Sequence, residues 1–350
     1  MRRRTILITV AVCGMTLATA VGISLNSPTS FRAKGPYQHG RLSERGDVYH
    51  YEVYVPSSLR ADSAVPLVVV LHGCAETADQ VAAASGYDRL ADQRRFIVLY
   101  PDVDAIDQGY EGCWKGIWHP RAEGRDRGDA GAIAEMTRAV IARWHIDRSR
   151  VYVIGISAGA FETAILGAEY PDLYAAIGIH SGAAYGGGEP GCLPPNQLPT
   201  NTNALAHAAV GAMGVRARVM PVIIFHGDED GQIPYRCGQQ ALSQWLRTDD
   251  LVLEQEHRAV LPRAPAGVSG AVVPGGHAYT VVSYADKLGC VVAQFWTVHG
   301  MGHFWSGGPA DPPSAPYSDP RGPSAAAASW AFFSRWSLSG PTRPCAPVKP

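Results

Sequence analysis

Positions 151–159 read Val-Tyr-Val-Ile-Gly-Ile-Ser-Ala-Gly, a short β-rich stretch ending in Gly-x-Ser-x-Gly, and the residues that follow, Ala160 to Glu169, are helix-forming. A strand that turns sharply into a helix at such a pentapeptide holds its serine in a strained backbone conformation, with the hydroxyl projecting from the sheet edge. Glycines two residues to either side keep neighbouring chain out of the way of the hydroxyl. With 38 glycines among 350 residues the pentapeptide alone is weak evidence. Its context carries more weight: strand before, helix after, then an acid and a histidine later in the chain make Ser157 a candidate nucleophile.

A chain of 350 residues, 46% of them hydrophobic, can bury the core of a single large α/β domain. Thirty basic residues against thirty-one acidic ones leave a net charge of −1, so nothing points to nucleic acid or another polyanion held by long-range charge. Met1-Arg2-Arg3-Arg4 precedes an apolar run from Ile6 to about Ile23, with Ala18-Thr19-Ala20 as small residues at a cleavage site. This is a signal-peptide pattern over residues 1–25 and predicts a secreted protein with no stable membrane partner. An uncleaved anchor is the competing reading, since the run approaches the length of a spanning helix. Cys13 falls too early in that run, behind bulky Val12, to suit a lipid-modified cysteine.

Six cysteines follow the leader: Cys74, Cys113, Cys192, Cys237, Cys290 and Cys345. An even count in an exported chain favours disulfides, although six cysteines allow fifteen pairings. Cys74 with Cys113 is the favoured pair. No two have Cys-x-x-Cys spacing, so a zinc site is not expected.

Along the chain, Tyr49 to Val55 reads as an edge strand closed by Pro56. The unbroken apolar run of Pro66 to Leu71 reads as a central parallel strand buried on both faces, and Phe96 to Tyr100 as a shorter one. Helical spacing covers Thr77 to Gln93 and about Asp129 to Trp144; Leu173 to Ile179 is apolar. Pro221 to Phe225 is another buried strand, Gln239 to Leu246 a helix, and Val291 to Val298 the last strand. Strands alternating with helices predict a mostly parallel sheet with right-handed crossovers and helices on both faces. The expected organisation is a leader, an N-terminal segment 26–45, one domain over 46–340 and a Pro-rich tail 341–350. A loop insert over about 182–218, rich in glycine, proline and asparagine in its first half, has the length of a lid or binding loop.

A serine hydroxyl needs a base, and the base needs an acid to fix its tautomer. His226-Gly-Asp-Glu-Asp-Gly-Gln-Ile-Pro234 follows the strand Pro221 to Phe225, and Asp230 is the chosen acid; Asp228 is its rival for that role, with turn capping as the competing reading of Asp228. Val298-His-Gly-Met-Gly-His-Phe-Trp305 follows the last strand, and glycines around His303 make it the chosen base. His299 is read as structural, and His277 as a loop residue with no strand before it. Backbone N–H groups of Ala158 and Cys74 are the expected oxyanion donors, with Gly73 allowing the tight turn. A Cys74–Cys113 bridge would stiffen that loop. Trp114, Trp118 and Trp305 are candidate walls for an acyl group, core packing being the competing reading for each.

These motifs together resemble the polyhydroxybutyrate depolymerase family of secreted α/β-hydrolase esterases, which includes relatives acting on feruloyl and acetylxylan esters. The resemblance runs from about Gly46 to Arg335 and rests on Pro66 to Cys74, Gly155 to Gly159, His226 to Pro234, Gln244-Trp245-Leu246, His299 to Gly308 and Tyr317 to Pro323. It implies an α/β-hydrolase fold and a triad at Ser157, Asp230 and His303. Phe304 stands where the family more usually has a small residue, and Cys192 and Cys237 add a possible crosslink to the insert. A separate polymer-binding domain is not expected.

The resulting expectation is an esterase that needs no cofactor or metal and works on short hydroxyalkanoate esters or oligomers. Feruloyl or acetylxylan ester hydrolysis is the alternative. Acyl transfer with the same triad, and a non-catalytic hydrolase-fold binding protein, are further readings.

Overall fold

A computed structural model of the chain describes residues 23–24, 37–44, 46–59, 64–103, 112–120, 122–187, 192, 201–310 and 316–345. Nearly all of the expected leader, most of the glycine- and proline-rich loop and the last five residues lie outside the described residues. Among the described residues no helix is long and apolar enough to cross a membrane.

The run Val65–Leu71 (β4) is buried at every position and sits inside an eleven-stranded sheet. The other strands are Ile23–Ser24 (β1), Tyr37–Glu44 (β2), Asp47–Tyr54 (β3), Ile97–Val103 (β5), Ile146–Ile156 (β6), Ala176–His180 (β7), Val222–Gly227 (β8), Gly267–Val272 (β9), Ala278–Ala285 (β10) and Val291–Val298 (β11). Their order is β1-β2-β3-β5-β4-β6-β7-β8-β11-β10-β9. The run from β5 to β11 is parallel throughout, and the strands at both ends are antiparallel.

Because successive side chains in a strand point to opposite faces, one apolar strand can serve two cores. Leu67, Val69 and Leu71 join the core beneath Gly128–Arg143 (α3) and Ala158–Glu169 (α4), while Val68 and Val70 join the core beneath Ala78–Ser85 (α1), Tyr87–Arg94 (α2) and Ala325–Phe333 (α7). Helices Thr202–Met213 (α5) and Tyr235–Gln255 (α6) complete the first layer.

Several expectations shift. The strand expected at Tyr49 to Val55 is interior, because β2 pairs with it from Tyr37 to Glu44; the sheet therefore reaches into the segment set apart as 26–45. The helix expected over Thr77 to Gln93 is two helices, broken where Gly86 takes φ +74°. α5 occupies part of the expected loop insert. The hairpin β9–β10 had no sequence signal, since Gly-Val-Ser-Gly-Ala-Val is exposed at all six positions and shows no apolar alternation. Disulfides join Cys74 to Cys113, as expected, and also Cys192 to Cys237 and Cys290 to Cys345.

Three carboxyls lie buried where α3, α4 and the turn Lys115–Ile117 meet. Asp129 accepts from the Tyr49 hydroxyl at 2.7 Å and from the Lys115 amide at 2.6 Å, and Glu123 accepts from the Ala130 amide at 2.9 Å. Glu162 faces the Gly116 backbone without a well-formed hydrogen bond. Burial first, then mutual repulsion, pushes Glu123 up to about 8 and Glu162 well above the carboxyl range. Lys115, with Asp47 beyond it, supplies the nearby positive charge. The folded chain thus holds protons that the unfolded chain has already released, and stability falls as pH rises from about 4.5 through about 8. Glu162→Gln should raise the melting temperature more at pH 8.5 than at pH 5 in thermal unfolding followed by circular dichroism. An equal change at both values would refute the linkage.

Candidate active site

β6 ends at Ile156, and α4 begins at Ala158. Ser157 between them has φ 54° and ψ −123°, a conformation that L-residues avoid. The two glycines explain how it is held. A Cβ on Gly155 would come within 2.3 Å of the Gly159 carbonyl oxygen, and one on Gly159 within 2.5 Å of the His72 carbonyl oxygen. Strand, helix and the loop after β4 therefore pack backbone against backbone around this residue. The Ser157 amide donates to the His180 carbonyl at 3.0 Å, fastening the turn to β7.

The same stitching continues along the carboxyl edge of the sheet. Ser181 N–H donates to the Phe225 carbonyl at 2.8 Å, Asp228 N–H to Val298 at 3.2 Å, and Glu229 N–H to Met301 at 3.2 Å. The loops after β6, β7, β8 and β11 are thereby one connected surface.

Asp230 and His303 meet on it. His303 Nδ1 lies 2.8 Å from one Asp230 carboxylate oxygen; the other oxygen accepts from the amides of Gln232 at 3.0 Å and Ile233 at 2.9 Å. Burial pushes the Asp230 carboxyl up, but His303, His226 and the Ile233 amide outweigh it and hold the group below its ordinary value. An ionised Asp230 fixes the His303 proton on Nδ1 and leaves Nε2 as the basic nitrogen. Among the described residues no hydrogen bond joins Ser157 Oγ to His303; such contacts are often long in free enzymes and tighten with substrate.

The rival acid has a different partner. Asp228 receives His299 Nδ1 at 2.7 Å and the Gly300 amide at 2.7 Å, closing the turn after β11. His299 Nε2 reaches Thr280 Oγ1 at 2.8 Å. His277, expected in a loop with no strand before it, in fact follows β9 and joins His299 O to Asp319, both at 2.8 Å. Asp319, held down to about 2 chiefly by Arg321 and His277 against its burial, also anchors the His303 loop, because its carbonyl accepts from Gly307 at 2.8 Å.

Two further residues had no motif to announce them. His180 is buried between Phe225 and Trp305, and burial lowers its pKa to about 3. It is neutral, and its Nε2 accepts the Ser306 amide at 3.1 Å. Glu76 is buried beside the elbow and accepts the Gly73 amide at 2.6 Å. A Cβ on Gly73 would stand 3.2 Å from Glu76 and 3.3 Å from the Ser157 Cβ, so this loop abuts the serine. Burial raises the Glu76 carboxyl despite the Gly73 amide. Among the described residues, the amides of Cys74 and Ala158 donate no hydrogen bond, and the Cys74–Cys113 bridge ties down the loop.

The three tryptophans separate. Trp114 is in the core, its indole donating to the His72 carbonyl at 3.0 Å, and Trp305 is buried against His180 and Tyr87. Neither is open to solvent, because both support loops from below. Trp118 is 38% exposed and Phe304, next to His303, is 37% exposed. Among the described residues no group of three or more His, Cys, Asp or Glu side chains is arranged to hold a metal.

A mostly parallel sheet with an elbow serine at the carboxyl end of an inner strand defines an α/β-hydrolase. The chain belongs to the esterase PHB depolymerase family, whose profile matches residues 49–265, and is a carboxylic ester hydrolase. It is 31% identical over 265 residues to feruloyl esterase B of Thermothelomyces thermophilus, covering 72% of this chain and 82% of that one. It is 30% identical over 266 residues to poly(3-hydroxyalkanoate) depolymerase C of Paucimonas lemoignei, covering 74% of this chain but 58% of the relative. The solved acetyl xylan esterase from Aspergillus awamori superposes with a TM-score of 0.65 over 85% of this chain and 99% of that one; at 22% identity it speaks to fold.

Glu76→Ala should lower kcat roughly tenfold or more with KM little changed, approaching the ~10²–10³ cost of losing an oxyanion donor. Glu76→Gln, whose amide oxygen can still accept from Gly73, should restore most of the rate. Equal loss in both variants under steady-state kinetics would refute a loop-positioning role.

Proposed function

We propose that Ser157 is the acylated nucleophile, His303 its general base and Asp230 the acid that orients the base. The observation that carries this reading is the 2.8 Å His303–Asp230 pair on the same stitched edge as the strained serine. His303 Nε2 takes the Ser157 proton as Oγ attacks the ester carbonyl. The developing oxyanion is received by the N–H groups of Cys74 and Ala158, the alcohol leaves with the proton from His303, and water activated by the same nitrogen releases the acid. Each step is a proton or acyl transfer that these side chains supply. The disulfides and the basic, apolar N-terminus support export from the cell, which suits an enzyme that meets its esters outside.

For the acyl group, an aromatic acid such as a ferulate is the first choice, and hydroxyalkanoate oligomers are the second. Phe304 supports that order: an exposed aromatic ring next to His303 in the chain offers an edge or face to an aryl acyl group. The feruloyl esterase relative supports the first choice and the depolymerase relative the second.

Ser157→Ala should abolish p-nitrophenyl butyrate hydrolysis and leave the melting transition nearly unchanged; retained turnover would sink the nucleophile assignment. Asp230→Asn should cost far more kcat than Asp228→Asn in that assay, and the reverse order would transfer the acid's role to Asp228. In a panel of methyl ferulate, acetylated xylan and hydroxybutyrate oligomers, Phe304→Ala should reduce kcat/KM on the ferulate by roughly threefold to tenfold, the scale of an aromatic contact. An equal effect on butyrate would remove Phe304 from acyl selection.

A further inference from the structure

The near-neutral charge of the chain conceals a local imbalance. A cavity of about 920 Å³ opens between α2, the end of α7, the strand β10 and the segment leading to Cys345. Arg94, Arg150, Arg335 and Arg343 line it, and among the described residues no acidic one does. Arg150 is paired with Asp147 at 2.6 Å. Among the described residues, Arg94, Arg335 and Arg343 have no ion pair or side-chain hydrogen bond; Arg41, Arg89, Arg95, Arg148, Arg236 and Arg263 are likewise unpaired elsewhere, so what sets this place apart is that three such guanidiniums line one concavity. Helix ends account for part of this, since Arg94 closes α2 and Arg335 lies just past α7, where positive charge is favoured. They do not account for Arg343 or for the convergence on one concavity.

The remaining lining is apolar and aromatic. Trp330, stacked on Phe96 with centroids 4.2 Å apart, forms part of the wall with Leu90 and Val291. Val291 is the first residue of β11, while His303 lies past its last, so the cavity faces the amino edge of the sheet. The strand's eight residues span roughly 25 Å. Guanidinium forks match carboxylate and sulfate oxygens, and a flat indole suits a sugar ring.

We propose that this cavity binds an acidic polysaccharide, with its carboxylates or sulfates held by Arg94, Arg335 and Arg343 and a ring set against Trp330. It is a second site, separate from the ester-cleaving edge, and its test does not depend on which residue there is the nucleophile. Binding of the full chain to polygalacturonate, dextran sulfate, neutral dextran and a single-stranded oligonucleotide can be measured by affinity electrophoresis at low and at physiological salt. The expected result is retardation by one or both acidic polysaccharides, weakening with salt. The polymer that binds tighter identifies the anion. Arg335→Ala with Arg343→Ala should weaken binding at least about tenfold, the scale of losing charge-assisted hydrogen bonds, while Arg138→Ala should not. Turnover of p-nitrophenyl butyrate should be unchanged in the double variant, which also reports that it is folded. Equal retardation of wild type and double variant, equal binding of neutral dextran, no binding of either acidic polysaccharide, or tighter binding of the oligonucleotide would each overturn the assignment.

Discussion

The site depends on one steric constraint: the backbone contacts that force Ser157 to φ 54°. Strain of this kind persists only where the surroundings overdetermine it. Here β4, β6 and α4 approach so closely that two positions have no room for a side chain, and the same approach brings the loop after β4 against the serine. The geometry of Ser157 and the placement of the Cys74 amide are therefore products of one packing event. The Gly73–Glu76 hydrogen bond and the Cys74–Cys113 bridge then remove the freedom left to the loop.

The rest of the edge adds pairing to strain, Ser181 after β7 also standing at φ 47°. Two aspartates two residues apart in one loop go to two histidines four residues apart in the next, Asp228 with His299 and Asp230 with His303. The outer pair closes a turn in the more exposed position, and the inner pair sits where burial and two backbone amides stiffen the carboxylate. Neutral His180 stacks on the indole of Trp305, and its Nε2 holds the His303 loop through the Ser306 amide.

The inner strands were legible because burial on both faces leaves unbroken apolar runs, as at Val65–Leu71 and at Val222 to Phe225. The elbow was legible because steric exclusion dictates residue type at Gly155 and Gly159. β9 was not, for an exposed strand of small residues needs no particular side chain and is held by main-chain pairing to β10 alone. Glu76 escaped for a related reason: its value lies in accepting from one amide three residues back, and a lone carboxylate carries no pattern of its own. Composition was actively misleading about the arginine-lined cavity, because a sum over the chain averages away any local excess.

The three disulfides bear on how such a chain reaches its fold. Each spans part of the sheet: Cys74–Cys113 encloses β5, Cys192–Cys237 encloses β8, and Cys290–Cys345 encloses β11. Cysteines 39, 45 and 55 residues apart can close their bridges before or after the enclosed strand has taken its place between its neighbours. A bridge closed afterwards works as a latch on a completed assembly step. One closed early traps a strand outside the sheet, and escape then runs on the timescale of thiol exchange rather than of strand pairing.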